Sequence, residues 1–303
     1  MNKKIATPST TLEIMNKHGI SAKKSLGQNF IIEPHIIERI AAAADCDKQD
    51  LVLEIGPGLG SLTQALGEAA GQVVSVEIDR TLIDPLRETF AEQDNIEIIH
   101  ADALTADIPG LLAPWQQSGR FRPGFMAVAN LPYYITTPII MRFLEQDHGW
   151  RRMVFMVQKE MADRMQAAPG TRDYGALSLA VQYRASARIA FIVPPSVFIP
   201  RPKVASAVIV LERLEQPPAA VRDEQQLFAV IRAGFGQRRK TLLNSLASGL
   251  ALPKEQITAA LAAAGIEANR RAETLTIGEF ARLADALTNT GSAGTTPGED
   301  NAK

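Results

Sequence analysis

Asn130-Leu131-Pro132-Tyr133-Tyr134 interrupts an apolar run, AVANLPYYITTP at 127–138, with an amide, an imino acid and two phenols. Such groups can orient a planar amine. If the Asn130 amide oxygen and the Leu131 carbonyl accept its two N–H bonds, a nitrogen conjugated to a ring is drawn toward pyramidal geometry and its lone pair becomes available. Pro132 donates no backbone hydrogen bond and fixes φ, which helps hold the turn that presents the Leu131 carbonyl. Tyr133 can stack on a heteroaromatic ring, a contact worth about 1–3 kcal/mol. The amine becomes acidic only after it has gained its new substituent, so its proton can leave to water. No strong general base is required, and the work is orientation and electrostatics.

A second group of residues points to a ligand that delivers that substituent. In LVLEIGPGLGSLT, Gly56, Gly58 and Gly60 stand where an apolar strand gives way to a helix, and backbone can approach a ligand closely there. A dinucleotide fingerprint, G-x-G-x-x-G, would place its third glycine at Ser61. The departure favours S-adenosylmethionine, which has no pyrophosphate to lay on the helix and brings a carboxylate, a ribose and an adenine. Glu77 closes the next apolar run and can accept both ribose hydroxyls; Asp102 closes the third and can accept from the exocyclic amine of the cofactor's adenine. Each acid alone is weak evidence, but their order on successive strands describes one nucleotide-type site.

The elements that must position these residues follow from periodicity. Near-continuous apolar runs at 51–56, 73–79, 96–102, 125–131 and 153–158 suit strands covered on both faces. Helical signals lie between them, at 61–70, 79–92, 138–146 and 159–168, so the expected fold class is α/β with a parallel sheet. YGALSLAVQYRA predicts a further helix, followed by a Pro-rich, hairpin-like stretch that ends in a strand at 204–211. From EQPPAAVRDEQ onward the periodicity is purely helical. Near the start, Thr10-x-x-Glu13 predicts a capping box for a short helix that stops at Gly19. In open α/β sheets ligands bind at the carboxyl ends of strands, so Asn130, Glu77, Asp102 and the glycine turn should face one crevice.

The ordered set of motifs resembles the ribosomal RNA adenine N6,N6-dimethyltransferase family. The resemblance spans nearly the whole chain, through KKSLGQNFI, VLEIGPGLGSLT, VEID, ADAL, NLPYYITTPII, MVQKEMADRM, PPSVFIPRPKVASAVI, GFGQRRKTLLNSL and RRAETLTIGEF. It implies a Rossmann-like S-adenosylmethionine-dependent methyltransferase sheet with a small all-helical C-terminal domain. It also implies that Asn29 and Ile31 close over the cofactor and that Gly56, Glu77, Asp102 and Asn130 complete its site. Asn130, Leu131, Pro132 and Tyr133 match the amine-methylating motif. Phe198 matches an aromatic beside the target base, so an adenine would lie between Phe198 and Tyr133; a base drawn out of stacking needs such surfaces. Tyr134 stands where many relatives carry Asn, a difference that touches only loop packing. The implied reaction is N6,N6-dimethylation of two adjacent adenosines in the 3′-terminal hairpin loop of small-subunit (16S) rRNA, within a partly assembled 30S subunit. KKSLGQNF and VFIPRPKVASAVI look more like the small-subunit enzymes than their large-subunit relatives. The organisation expected is an N-terminal helix and cofactor-closing loop at 1–30, the cofactor-binding domain at 31–212, a helical RNA-binding domain at 213–288 and a disordered tail at 289–303.

With 32 Lys and Arg against 33 Asp and Glu, the net charge is −1, so a polyanion must be met by a local basic face. Lys23, Lys24, Arg201, Lys203, Arg238, Arg239 and Lys240 are the candidates, joined by Arg232, Arg270 and Arg271; clusters of this kind would rim one crevice and make binding fall with salt. The four histidines, His18, His35, His100 and His148, lack ligand spacing, so no metal is expected. A single Cys46, no apolar leader and no long apolar run predict a cytoplasmic protein with no membrane association, and a monomer is expected. A nicotinamide-dependent oxidoreductase is disfavoured by the glycine register and by the lack of a Tyr-x-x-x-Lys pair. A non-catalytic ribosome-assembly factor would make the same RNA contacts but has no use for an amine-orienting amide.

Overall fold

Strands buried on both faces need helices above and below them, and the chain supplies these in alternation. A computed structural model describes residues 3–146, 148–237 and 239–292. By internal contacts the chain forms two compact units. The first comprises residues up to Asp163 together with Ala185–Arg213, and the second comprises Arg164–Arg184 and the residues from Leu214 onward.

In the first unit the strands are β1 (Phe30–Ile31), β2 (Leu51–Ile55), β3 (Gln72–Glu77), β4 (Ile96–His100), β5 (Phe125–Asn130), β6 (Trp150–Gln158), β7 (Ala185–Val193), β8 (Phe198–Ile199) and β9 (Ser206–Arg213). The helices are α1 (Pro8–Lys17), α2 (Pro34–Ala44), α3 (Ser61–Ala69), α4 (Arg80–Thr89), α5 (Ile108–Gln116), α6 (Thr136–Glu145) and α7 (Lys159–Gln166), the last of which carries the chain into the second unit. Seven strands form one sheet in the order β4-β3-β2-β5-β6-β9-β7, while β1 and β8 pair separately. The strands from β4 to β6 run parallel, and β9 runs antiparallel to both of its neighbours. Because β2 pairs with β3 on one side and β5 on the other, the order reverses there and opens a crevice at their carboxyl ends. Val52, Met126, Val154 and Val208 of the sheet pack on Ile36 and Ile40 of α2 and on Leu66 of α3.

At the amino end of the same strands, Asp50 is fully buried and receives Arg122 at 3.0 Å on both carboxylate oxygens and Arg151 at 2.5 Å.

Several expectations change. The α1 cap is Thr7, whose hydroxyl accepts from the Thr10 N–H at 3.2 Å, and not Thr10, which is buried inside the helix. Pro8 presets the first helical φ and leaves Thr7 extended, the geometry a cap requires. The Pro-rich stretch is preceded by an edge strand, β7, whose register shifts between Ile189 and Phe191 and so breaks its alternation. Residues 1–30 are not a separate piece, since Ile5 and Phe30 share one apolar cluster with Leu82 and Leu86 of α4.

Gly60 lies in the first βα turn at φ +89°, where an added Cβ would meet the buried Phe90 ring at 2.7 Å. Gly60→Ala is therefore expected to lower stability by about 2–4 kcal/mol, from left-handed strain plus overpacking. Gly56→Ala, at φ +69° with open space around it, should cost only the strain, about 1–2 kcal/mol. Urea unfolding of the two variants checks the difference.

The second unit is helical, with α8 (Ala176–Arg184), α9 (Glu224–Phe235), α10 (Leu242–Leu250), α11 (Lys254–Ala263) and α12 (Ile277–Ser292). The expected boundary at 212/213 misses residues 164–184, which lie with this unit. Their apolar bulk dictates it. Tyr174 is buried against Phe235 and its hydroxyl donates to the Leu275 carbonyl at 3.0 Å; Tyr183 meets the Phe228 ring edge-on at 5.7 Å and donates to Glu224 at 3.1 Å. The α12 helix also continues through 289–292, where a disordered tail was expected, because extending a formed helix costs far less than starting one. The remainder of that tail, 293–303, lies outside the described residues.

Candidate active site

The carboxyl ends of β2, β3 and β5, the segment after β4, the β1–β8 pair and the loop before β1 line one cleft of about 250 Å³. Every residue expected to hold the cofactor, every residue of the amine-orienting motif and Phe198 line it.

The end expected to hold the cofactor begins with the Gly56–Gly60 turn between β2 and α3. The Gly58 N–H donates to Glu77 Oε2 at 3.2 Å, and the Asp79 N–H donates to Oε1 at 2.8 Å. Glu77 is nearly buried, and burial pushes its carboxyl above the usual range while the two backbone bonds oppose that shift. Each oxygen keeps a lone pair, so the carboxylate can accept two vicinal hydroxyls. Beyond β4, Asp102 Oδ1 accepts from the Leu104 N–H at 2.8 Å, which holds the side chain in its turn.

At the other end, Asn130 terminates β5 with its Nδ2 donating to the Asn29 carbonyl at 3.1 Å. That bond sets the sense of the amide, with Oδ1 as the remaining acceptor. Leu131 is 1% exposed and anchored by its N–H to the Met156 carbonyl at 3.1 Å. The Pro132 carbonyl accepts from the Ile135 N–H and the Thr136 hydroxyl, both at 3.2 Å, which starts α6 directly behind the motif. Tyr133 shares a hydrogen bond with the buried Ser206 of β9 at 2.9 Å, and burial raises its phenol. Tyr134 is exposed at the rim. Ile31 on β1 lies opposite Phe198 on β8, and both are almost fully buried with one face toward the cleft.

The basic candidates divide. Lys24, Arg201 and Lys203 are exposed in the first unit, and Arg239 and Lys240 are exposed in the second. Arg238 lies outside the described residues. Lys23, expected among them, instead places Nζ 2.6 Å from Asp79 Oδ1. Arg270 is likewise engaged by Glu279 and by the Thr274 carbonyl.

Sequence reasoning missed three polar groups. Asp79 and Gln28 sit within the quoted VEID and GQNF, yet nothing in either motif reveals that they meet. The third is Glu54, 1% exposed on β2 beneath the glycine turn. Its Oε2 accepts from Ser75 at 2.6 Å and Thr63 at 2.7 Å, while Oε1 is buried without a partner. Burial pushes its carboxyl from the ordinary 4.5 up to about 7. A carboxyl raised on folding binds its proton more tightly in the native state, so its contribution is fully present below pH 4.5 and is lost as pH rises through about 7. The displacement corresponds to about 3 kcal/mol at alkaline pH. Glu54→Gln is expected to flatten the fall in stability between about pH 5 and 8, read by urea midpoints across that range.

Among the described residues, no cluster of three or more His, Cys, Asp or Glu side chains is arranged to hold a metal ion, and no helix is long and apolar enough to cross a membrane.

A family model described as ribosomal RNA adenine dimethylase matches residues 19–289. The chain is 51% identical over 290 residues to the ribosomal RNA small subunit methyltransferase A of Anoxybacillus flavithermus, covering 95% of this chain and 97% of that one. It is 50% identical over 281 residues to the protein of the same name from Alkaliphilus metalliredigens, covering 92% and 96%. Among solved structures it is similar to a dimethyladenosine transferase from Plasmodium falciparum, with TM-score 0.71, 25% identity and coverage of 86% and 98%. It is also similar to the 23S rRNA methyltransferase ErmE, with TM-score 0.60, 29% identity and coverage of 86% and 99%.

Proposed function

Since the chain belongs to the ribosomal RNA adenine dimethylase family, we propose that it dimethylates N6 of two adjacent adenosines in the 3′-terminal hairpin loop of 16S rRNA. The observation that carries this reading is the Asn130 amide, held by the Asn29 carbonyl at 3.1 Å in the same cleft as the Glu77 carboxylate. S-adenosylmethionine, when bound, supplies an electrophilic methyl on its sulfonium. The donor set fits that group: glycine backbone, a buried carboxylate for ribose hydroxyls at Glu77, an acceptor for an adenine amine at Asp102, and no phosphate-binding register.

In this reading Asn29 and Ile31 close over the cofactor beside Gly56. The Asn130 Oδ1 and the Leu131 carbonyl accept the two N–H bonds of the target amine and orient its lone pair. Pro132 holds that carbonyl in place, and Tyr133 and Phe198 flank the extruded base. After one transfer a single N–H remains, so the amine must turn before the second. The proton leaves to water, since no side chain of the motif is a strong base. Lys24, Arg201, Lys203, Arg239 and Lys240, with Arg238, contact rRNA phosphates and give binding a steep salt dependence. The enzyme acts as a cytoplasmic monomer on a partly assembled 30S subunit.

The large-subunit alternative has weaker support, because relatives about half identical over almost the full chain carry the small-subunit name, against 29% identity to the 23S enzyme. Transfer of labelled methyl from S-adenosylmethionine to undermethylated small subunits, followed by nucleoside mapping, tests the reading. Dimethyladenosine in the 3′-terminal hairpin of 16S rRNA is expected, and label confined to large-subunit RNA or to protein would overturn it.

A further inference from the structure

Asp79 stands two residues beyond Glu77, caps α4 and shares no hydrogen bond with the amine-orienting motif, yet its carboxylate accepts four hydrogen bonds beside the cleft. Its Oδ1 accepts from Lys23 Nζ at 2.6 Å, from the Thr81 hydroxyl at 2.6 Å and from the Thr81 N–H at 3.0 Å. Its Oδ2 accepts from Gln28 Nε2 at 2.9 Å, and Gln28 Oε1 in turn accepts from the Lys23 N–H at 2.9 Å. Burial acts to raise this carboxyl, and the Lys23, Thr81 and Gln28 bonds overcome it and hold it down to about 2. Asp79 is therefore a full anion at any working pH.

What these bonds hold is the strap at 23–29. The strap lines the cleft through Gly27, Gln28 and Asn29, and Asn29 is the residue whose carbonyl orients Asn130. Asn29 is held within the strap by its own Nδ2 bond to the Gly27 carbonyl at 2.8 Å. An unbroken path thus runs from Glu77, through the Asp79 N–H and carboxylate, Gln28 and Asn29, to the amide at the acceptor end. A helix cap alone needs only the Thr81 bonds. Lys23 and Gln28 are reached across 56 and 51 residues of sequence, which local capping does not explain.

We propose that Asp79 is a positioning residue which, through Lys23 and Gln28, ties the 23–29 strap to the cofactor end of the cleft and so sets the Asn130 amide for transfer. The proposal rests on the methyl-transfer reading of the cleft.

Asp79→Asn separates the two roles, because Asn caps helices as well as Asp but carries no charge for Lys23. Gln28→Ala removes the second tie without touching α4. Gln28→Ala is expected to keep the wild-type unfolding midpoint, whereas Asp79→Asn lowers it, because the fold favours the ionised carboxyl. Trypsin should cut after Lys23 or Lys24 on the order of tenfold faster in protein without added cofactor, since cleavage follows local opening. In methyl transfer, kcat should fall on the order of tenfold with KM for RNA unchanged, the signature of lost positioning rather than lost binding. Wild-type cleavage rates in both variants overturn the proposal, as does faster cleavage with unchanged kcat. Losses that track a lowered unfolding midpoint in both variants also overturn it. The proteolysis needs no turnover, so a wild-type protein that failed to methylate adenine would sink the functional reading while the strap itself was still read.

Discussion

Asn130→Ala is expected to lower kcat for methyl transfer by about 10²–10³-fold while RNA affinity stays within about twofold. The size follows from the role proposed for the amide. A ring-conjugated amine is a poor nucleophile, and an acceptor aimed at its N–H gains strength as positive charge develops on nitrogen. Such an interaction is worth more in the transition state than in the ground state, so its loss appears in kcat. The alanine also removes the Nδ2 bond to the Asn29 carbonyl and frees the strap at that point. The phosphate contacts proposed above lie on other residues, which is why RNA affinity should hold. Single-turnover transfer to undermethylated small subunits, beside filter binding of the same RNA, separates the two. Unchanged turnover would remove Asn130 from the chemistry.

The second large effect is on stability and has a sign that simple pair counting misses. Asp50 is fully buried, whereas the side chains of its partners Arg122 and Arg151 are 41% and 34% exposed. Deleting the acid leaves two guanidinium groups that can reach water, so Asp50→Ala should cost about 2 kcal/mol. Deleting both arginines strands a carboxylate in the interior with only the Asp47 N–H bond at 2.9 Å, and that double variant should cost about 3–5 kcal/mol. Adding Asp50→Ala to the double variant is then expected to restore about 2 kcal/mol, because it removes the orphaned charge. Urea unfolding of the set at constant pH measures each step. A triple variant less stable than the double would show that the acid does not carry the burial cost.

The parallel sheet is legible in the sequence because most of its strands are short apolar runs that suit a covered position; β4, at the sheet edge, is instead buried only at Ile98. The residues around the cleft are legible for a related reason. Chemistry and backbone geometry both constrain Gly56, Glu77, Asp102 and the Asn130 to Tyr133 motif, so their types and order carry information. The β7 strand is obscured by its register shift, and α5 by Pro109 and Pro114 within it. The Asp79, Gln28 and Lys23 ties join residues far apart in sequence, and side chains that meet only through the fold leave no periodic trace. Lys23 shows the cost of reading charge without geometry, since a basic pair that looks made for phosphate spends one member on an internal anion. Glu54 was equally hidden, because an acid inside an apolar run gives no sign of whether it faces water or the core.

The path that visits the second unit twice constrains the order in which the molecule can be made. Tyr174 leaves the ribosome 101 residues ahead of Leu275, the carbonyl it must find. At ordinary synthesis rates that is a wait of roughly 5–20 s, during which the segment at 164–184 has no core to enter. Strands β7 and β9 are completed inside that interval, so the first unit can close while the second is still a fragment. A chain that stops at Arg213 keeps a segment, 164–184, with nowhere to bury its tyrosines. One that starts at Leu214 has a helical core with a face missing.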